Sequence, residues 1–212
     1  MTTRRLLAIM GLGLTVGAGG IARAQTPPPA PQPPAPPTTR LRGTLDSVTA
    51  TTLTMTPRSG GSVMVQIAPN TRVSGITLAK IDDIKPGSYI GTAAATQPDG
   101  TQKALEVHVF PPSMVGAGEG FRPWDSAPNS TMTNGTVGNL VVSRGRTMTV
   151  KYKGGEQTVV VPEDVPIVSI EPGTPALLTP GAHVIVFASK GADGALTAIA
   201  INIGENGLTP PM

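Results

Sequence analysis

Residues 43–67 read GTLDSVTATTLTMTPRSGGSVMVQI, and residues 135–160 read GTVGNLVVSRGRTMTVKYKGGEQTVV. In the first stretch Leu53 and Met55 alternate with Thr52, Thr54 and Thr56, and Val63, Val65 and Ile67 alternate with Ser62, Met64 and Gln66. In the second, Met148, Val150 and Tyr152 alternate with Thr147, Thr149, Lys151 and Lys153. A period of two marks a half-buried strand, because successive side chains point to opposite faces of a sheet. Gly60-Gly61 and Gly154-Gly155 fall between the runs, where a hairpin needs positive φ.

The two stretches belong to an internal repeat. Gly43-Thr44-Leu45 matches Gly135-Thr136-Val137, and Thr54-Met55-Thr56 matches Thr147-Met148-Thr149. Pro69 falls on Pro162, Pro86-Gly87 on Pro180-Gly181, Asp99-Gly100 on Asp193-Gly194, and Leu105, Val107 and Val109 on Ile199, Ile201 and Ile203. The offset stays between 92 and 94 throughout. The expected organisation is two copies of one unit, at 40–110 and 134–204, with a linker at 111–133 and a tail at 205–212. Each copy predicts about five or six short strands. One helical turn is expected at Leu78–Ile84, stopped by Pro86. The fold expected is all-β: two tandem small OB-like β-barrels, since closure removes exposed sheet edges.

Ahead of the repeats, Arg4-Arg5, an apolar run from Leu6 to Val16 and Ala22-Arg23-Ala24 form a charged region, a short hydrophobic region and an A-x-A site. That is the pattern of a cleaved export signal spanning 1–24, and Arg4-Arg5 also fits the twin-arginine type. Residues 25–39 form a proline-rich spacer. Of 212 residues, 16 are Lys or Arg and 13 are Asp or Glu, a net +3. Cleavage removes Arg4, Arg5 and Arg23, which leaves the charge balanced and weakens any nucleic-acid reading. No later run is long enough to span a membrane as a helix. The expected location is therefore periplasmic or secreted, with no stable membrane insertion.

The pattern G-T-L/V, T-x-T, G-G, P, P-G, D-G and an apolar last strand resembles a group of secreted bacterial domains of unknown function with an OB-like barrel. The segment from Gly118 to Asp125 resembles the inter-repeat segment of such proteins, which commonly carry His where Phe121 stands here. The resemblance implies a fold and no chemistry. Some similar proteins bear a metal-permease label, but a permease needs spanning helices.

Candidate chemistry is sparse. With no cysteine in the chain, disulfides, thiolate metal sites and Cys nucleophiles are excluded. No nucleophile elbow, H-E-x-x-H or P-loop occurs, and Gly116–Gly120 lacks the dinucleotide spacing, so neither an enzyme nor a cofactor is expected. Met55 and Met148 read as core, His108 as an outward position aligned with Asn202, and His183 as aligned with Tyr89. The alternative function is a periplasmic copper-type site built from Met and His. Arg144, Arg146, Lys151 and Lys153 make the one basic cluster, a solvated strand face rather than a nucleic-acid groove. The segment joining the repeats holds the sole Trp, and Glu119, Arg122, Trp124 and Asp125 are the binding candidates. The leading expectation is a non-enzymatic binding or scaffold protein of the envelope, contacting an envelope protein or glycan.

Overall fold

The computed structural model describes residues 38–141 and 146–212, so residues 1–24, expected to be an export signal, nearly all of the proline-rich spacer and Arg144 lie outside the described residues. The described chain is built of twelve strands joined by turns and short 3-10 segments. The first six are β1 (Thr38–Val48), β2 (Thr52–Pro57), β3 (Val63–Leu78), β4 (Tyr89–Thr96), β5 (Gln102–Val109) and β6 (Gly120–Pro123). The rest are β7 (Ser130–Val141), β8 (Thr147–Tyr152), β9 (Gly155–Val160), β10 (Ile167–Pro172), β11 (His183–Lys190) and β12 (Leu196–Gly204). The one helical turn expected in the first copy is present as a 3-10 turn at Ile81–Asp83.

The hairpins follow the turn chemistry. Asp99 Oδ1 accepts from the Thr101 amide at 3.0 Å and Gly100 sits at φ +84°. Asp193 Oδ1 accepts from the Ala195 amide at the same distance and Gly194 has the same φ. An aspartate that caps its own turn, followed by a residue free to take positive φ, fixes where the strand reverses.

Strand pairing closes two five-stranded rings. In the first, β1 pairs with β2, β2 with β3, β3 with β12, β12 with β11, and β11 with β1. In the second, β7 pairs with β8, β8 with β9, β9 with β5, β5 with β4, and β4 with β7. This corrects the expectation of one barrel per repeat. The first ring takes three strands from the N-terminal half and its last two from the C-terminal half, and the second ring takes the converse. The hairpins β4–β5 and β11–β12 have traded places.

The pairings made by the two exchanged hairpins correspond residue by residue. Val184 lies opposite Gly43, and Ile90 opposite Gly135. Ile201 lies beside Val73, and Val107 beside Ile167. Between the rings β3 and β10 run antiparallel, and Ile76 lies opposite Ile170, its own counterpart in the repeat. A local two-fold axis therefore passes through that pair.

Each ring has its own core. Leu45, Leu53, Met55, Val65, Val186 and Ile201 fill the first; Ile90, Val107, Val137, Met148, Val150 and Val159 fill the second. Met55 and Met148 are fully buried, as their alternation implied. A third cluster of Ile76, Val168, Ile170, Ile185 and Met212 lies on the β3–β10 seam, so the C-terminal segment packs here. Each such side chain contributes about 1.5–3 kcal/mol relative to exposure. The segment expected as a linker contains a 3-10 turn at Pro112–Met114 and strand β6, and β7 already begins at Ser130.

Candidate functional site

His108 on β5, Gly91 on β4 and Asn134 on β7 lie directly opposite one another across three neighbouring strands. One step along the same face come Glu106, Ala93 and Met132, with Arg122 of β6 beside Met132. This is the outer face of the second ring. His108 nonetheless is only 3% exposed, which corrects its expected solvent-facing position. Alternation does turn the ring away from its own barrel, but on that face Glu106 bonds it, Phe110 meets it edge-on and Asn134 leans over Gly91 beside it, which closes it from solvent.

A buried polar array occupies the face. Both Glu106 carboxylate oxygens lie 3.1 Å from His108 Nδ1, and Oε1 also accepts from the Ala93 amide at 3.0 Å. The carboxylate thus fixes the imidazole through one nitrogen and turns Nε2 toward Gly91. A Cβ at Gly91 would overlap Nε2 and lie 2.6 Å from Asn134 Oδ1, so only glycine lets the two side chains lean together. Phe110 meets the imidazole edge-on, with centroids 4.8 Å apart. Asn134 Nδ2 donates to the Ala117 carbonyl at 3.1 Å, which sets the amide's orientation and leaves Oδ1 buried without a partner. Tyr89 donates to the same carbonyl at 3.2 Å, and burial, with Glu119 nearby, pushes its phenol upward.

The two rings, whose strands pair in corresponding ways, supply an internal comparison for this array. At equivalent positions of the first ring, Val186 stands for Thr92, Leu196 for Gln102, Ala200 for Glu106, Asn202 for His108 and Leu41 for Thr133. Buried Thr, Gln, Glu and His therefore replace mainly apolar residues in one ring only. Fold maintenance does not require them, since the sister ring closes without them. For Glu106 and His108 the signal was present in the sequence, but only a comparison of corresponding positions exposes it; Asn134, which corresponds to Arg42, is missed by that comparison and by alternation alike.

Thr133 Oγ1 is buried without a partner. Thr133→Val removes that hydroxyl at nearly constant volume, and is expected to raise unfolding stability by about 1 kcal/mol. A urea midpoint that falls instead would show the hydroxyl to be satisfied in solution.

Of the four candidates named from sequence, three come together. Arg40 lies over the Trp124 ring at 3.9 Å and Arg122 at 5.5 Å. Asp125 accepts from Arg40 Nε at 3.0 Å and from Arg42 Nη2 at 2.8 Å, locking β1 to the segment after β6. Trp124 is part-buried, and its indole N–H has no partner. Glu119 is directed elsewhere, accepting from the Lys153 amide at 2.9 Å. Arg122 Nη1 donates to the Gly118 carbonyl at 2.7 Å. Burial, with Arg40 nearby, holds the Arg122 guanidinium below its ordinary value.

Burial pushes the Asp125 carboxyl up, but hydrogen bonds from Arg42 and Arg40 outweigh it and hold the group below 3.8. A depressed folded value stabilises the fold above the unfolded value, and that stabilisation is lost as pH falls through the folded value. Asp125 is 44% exposed, so the effect is below about 1 kcal/mol. Asp125→Asn is expected to flatten this acid limb in denaturation midpoints measured from pH 6 downward. An unchanged limb would remove Asp125 from the acid response.

The array and Trp124 open onto one cavity of about 790 Å³. Phe110, Trp124 and Phe187 give it aromatic walls, and Arg72, His108, Arg122 and Asn134 its polar points. Among the described residues no aspartate or glutamate lines it. Among the described residues no group of three or more His, Asp or Glu is placed to hold a metal. Comparison of the chain with protein-family profiles, curated proteins and solved structures gives no match.

Proposed function

We propose that the chain is an exported, non-enzymatic binding protein of the bacterial envelope, which takes a small organic ligand between two OB-like barrels. One observation carries the reading: the 790 Å³ cavity has aromatic walls, and two of its lining residues, Trp124 and Asn134, each hold a buried polar atom, Nε1 and Oδ1, with no partner among the described residues. Buried polar groups are nearly always paired, so two orphans at one cavity fit groups that a ligand completes. The strand order β1-β2-β3-β12-β11, with its single parallel pairing between β3 and β12, supports the OB-like reading. The export pattern in residues 1–24 supports the envelope location. The exposed Phe121 and Asp125 rim offers a contact for an envelope protein or glycan.

Trp124 is the only tryptophan, so its emission reports on the cavity. Anilinonaphthalene sulfonate is expected to quench it saturably, and Trp124→Phe to remove the signal while leaving dye fluorescence enhanced. A chain that shows neither quenching nor dye enhancement has no ligand cavity in solution, and the reading falls.

A second reading is a copper-type site, favoured by Met114, Met132 and Met212 lining the same cavity with His108. Thioether and imidazole ligands select Cu(I). Stoichiometric Cu(I) uptake, lost in Met132→Leu, would establish it; absence of uptake removes it.

A further inference from the structure

Arg122 is the starting point. Its guanidinium is part-buried, and among the described residues no carboxylate forms an ion pair with it. Asp125 and Glu119, each three residues away along the chain, are engaged instead by Arg40 and Arg42 and by the Lys153 amide. A partly desolvated cation without a counter-ion is costly unless an anion completes it. Arg72 lines the same cavity, so the electrostatic bias of its walls is positive.

The other polar points sit close by. Gly118 lies between Arg122 and Asn134: a Cβ built there would be 3.4 Å from Arg122 Nη2 and 3.1 Å from Asn134 Nδ2. Trp124 is within 5.5 Å of the Arg122 guanidinium. Arg122 and the Asn134 amide therefore stand together beside Trp124 at one end of the cavity, and the indole N–H and Asn134 Oδ1 are buried with no partner among the described residues. The amide cannot turn to offer a donor instead without losing its bond to the Ala117 carbonyl. Beyond this polar end the walls are Phe110, Phe187 and Ile170.

A complementary ligand presents an anionic acceptor beside a donor, on an apolar body. We propose that the cavity recognises an aromatic hydroxy acid: its carboxylate on Arg122 and the Trp124 N–H, its neighbouring hydroxyl donating to Asn134 Oδ1, its ring against the aromatic walls. This rests on the cavity-binding reading above and supplies its ligand class. A site built to pair a hydroxyl discriminates strongly against an analogue lacking it, because its own buried acceptor is then left unpaired.

The test uses three probes, mandelate, phenylacetate and methyl mandelate, titrated against Trp124 emission in the described chain with its full length retained. Phenylacetate lacks the hydroxyl, and methyl mandelate lacks the charge. Mandelate is expected to bind at least about tenfold more tightly than either. Arg122→Gln should erase the preference over the ester and spare the preference over phenylacetate, and Asn134→Ala should do the reverse. Circular dichroism checks that each variant folds; the probe ranking on the unaltered protein needs no variant. Equal affinity for acid and ester, or tighter binding of the ester, overturns the anion assignment. Equal affinity for mandelate and phenylacetate overturns the hydroxyl assignment. If the dye still binds while mandelate does not, the ligand class is wrong and the cavity reading stands. If nothing binds, both fall.

Discussion

A fragment of residues 38–110 is expected to be a dimer in light scattering, and to unfold on dilution. It contains β1–β5, all the strands of one repeat. In the intact chain, however, β1, β2 and β3 are closed by β11 and β12, while β4 and β5 serve the other ring. The fragment lacks Val184, Val186, Ile201 and Ile203, all buried in the first ring's core. At about 1.5–3 kcal/mol each, their loss is comparable to the whole stability of a small domain, about 5–15 kcal/mol. A second copy replaces them: its own β4–β5 hairpin occupies the place of β11–β12, and Ile76 meets Ile76 of the other copy where Ile170 stood. A folded monomer of the fragment, stable at low concentration, would show that the hairpin closes its own barrel and that the exchange is not required.

That exchange could not be read from the chain, for a physical reason. Ile90, Ala104 and Val107 of one hairpin and Val184, Ala198 and Ile201 of the other present the same inward pattern. Hydrophobic alternation makes either hairpin a suitable partner for either set of three strands, so it specifies a register and leaves the partner open. What decides is the path from Leu78 to Tyr89 and the pairing of Ser74–Leu78 with Val168–Pro172, a contact far apart in sequence. The turns were legible because Asp99-Gly100 and Asp193-Gly194 act within a few residues. Trp124, Arg122 and Asp125 were legible because their residue types and their place between repeats stand out. Their meeting with Arg40 and Arg42 was not, because it joins positions more than eighty residues apart. His108 was misplaced by a rule correct for one sheet: a period of two separates the faces, but cannot tell solvent from a second layer.

Glu106→Ala puts into the second ring the residue that the first ring carries at Ala200, and is expected to cost about 3–5 kcal/mol. The Glu106 side chain is 1% exposed and accepts from both the Ala93 amide and the His108 ring. Its removal orphans both donors, and each unsatisfied buried group costs about 1–3 kcal/mol. His108→Asn alone installs the counterpart of Asn202 and withdraws the carboxylate's imidazole partner, but leaves the bond to Ala93. In the double variant the carboxylate and the imidazole leave together, as in the sister ring. Its cost should therefore be smaller than the sum of the singles, with a coupling of about 1–3 kcal/mol from urea midpoints of the four proteins. The same double variant should weaken mandelate binding even where its stability recovers, because Asn134 Oδ1 loses the imidazole that lies beside it over Gly91. Additive costs would mean that Glu106 and His108 merely lie side by side. Recovered stability with undiminished binding would mean that the pair is a relic of divergence between the repeats. Coupled stability with lost binding is the outcome that makes the polar half of this two-fold molecule its working half.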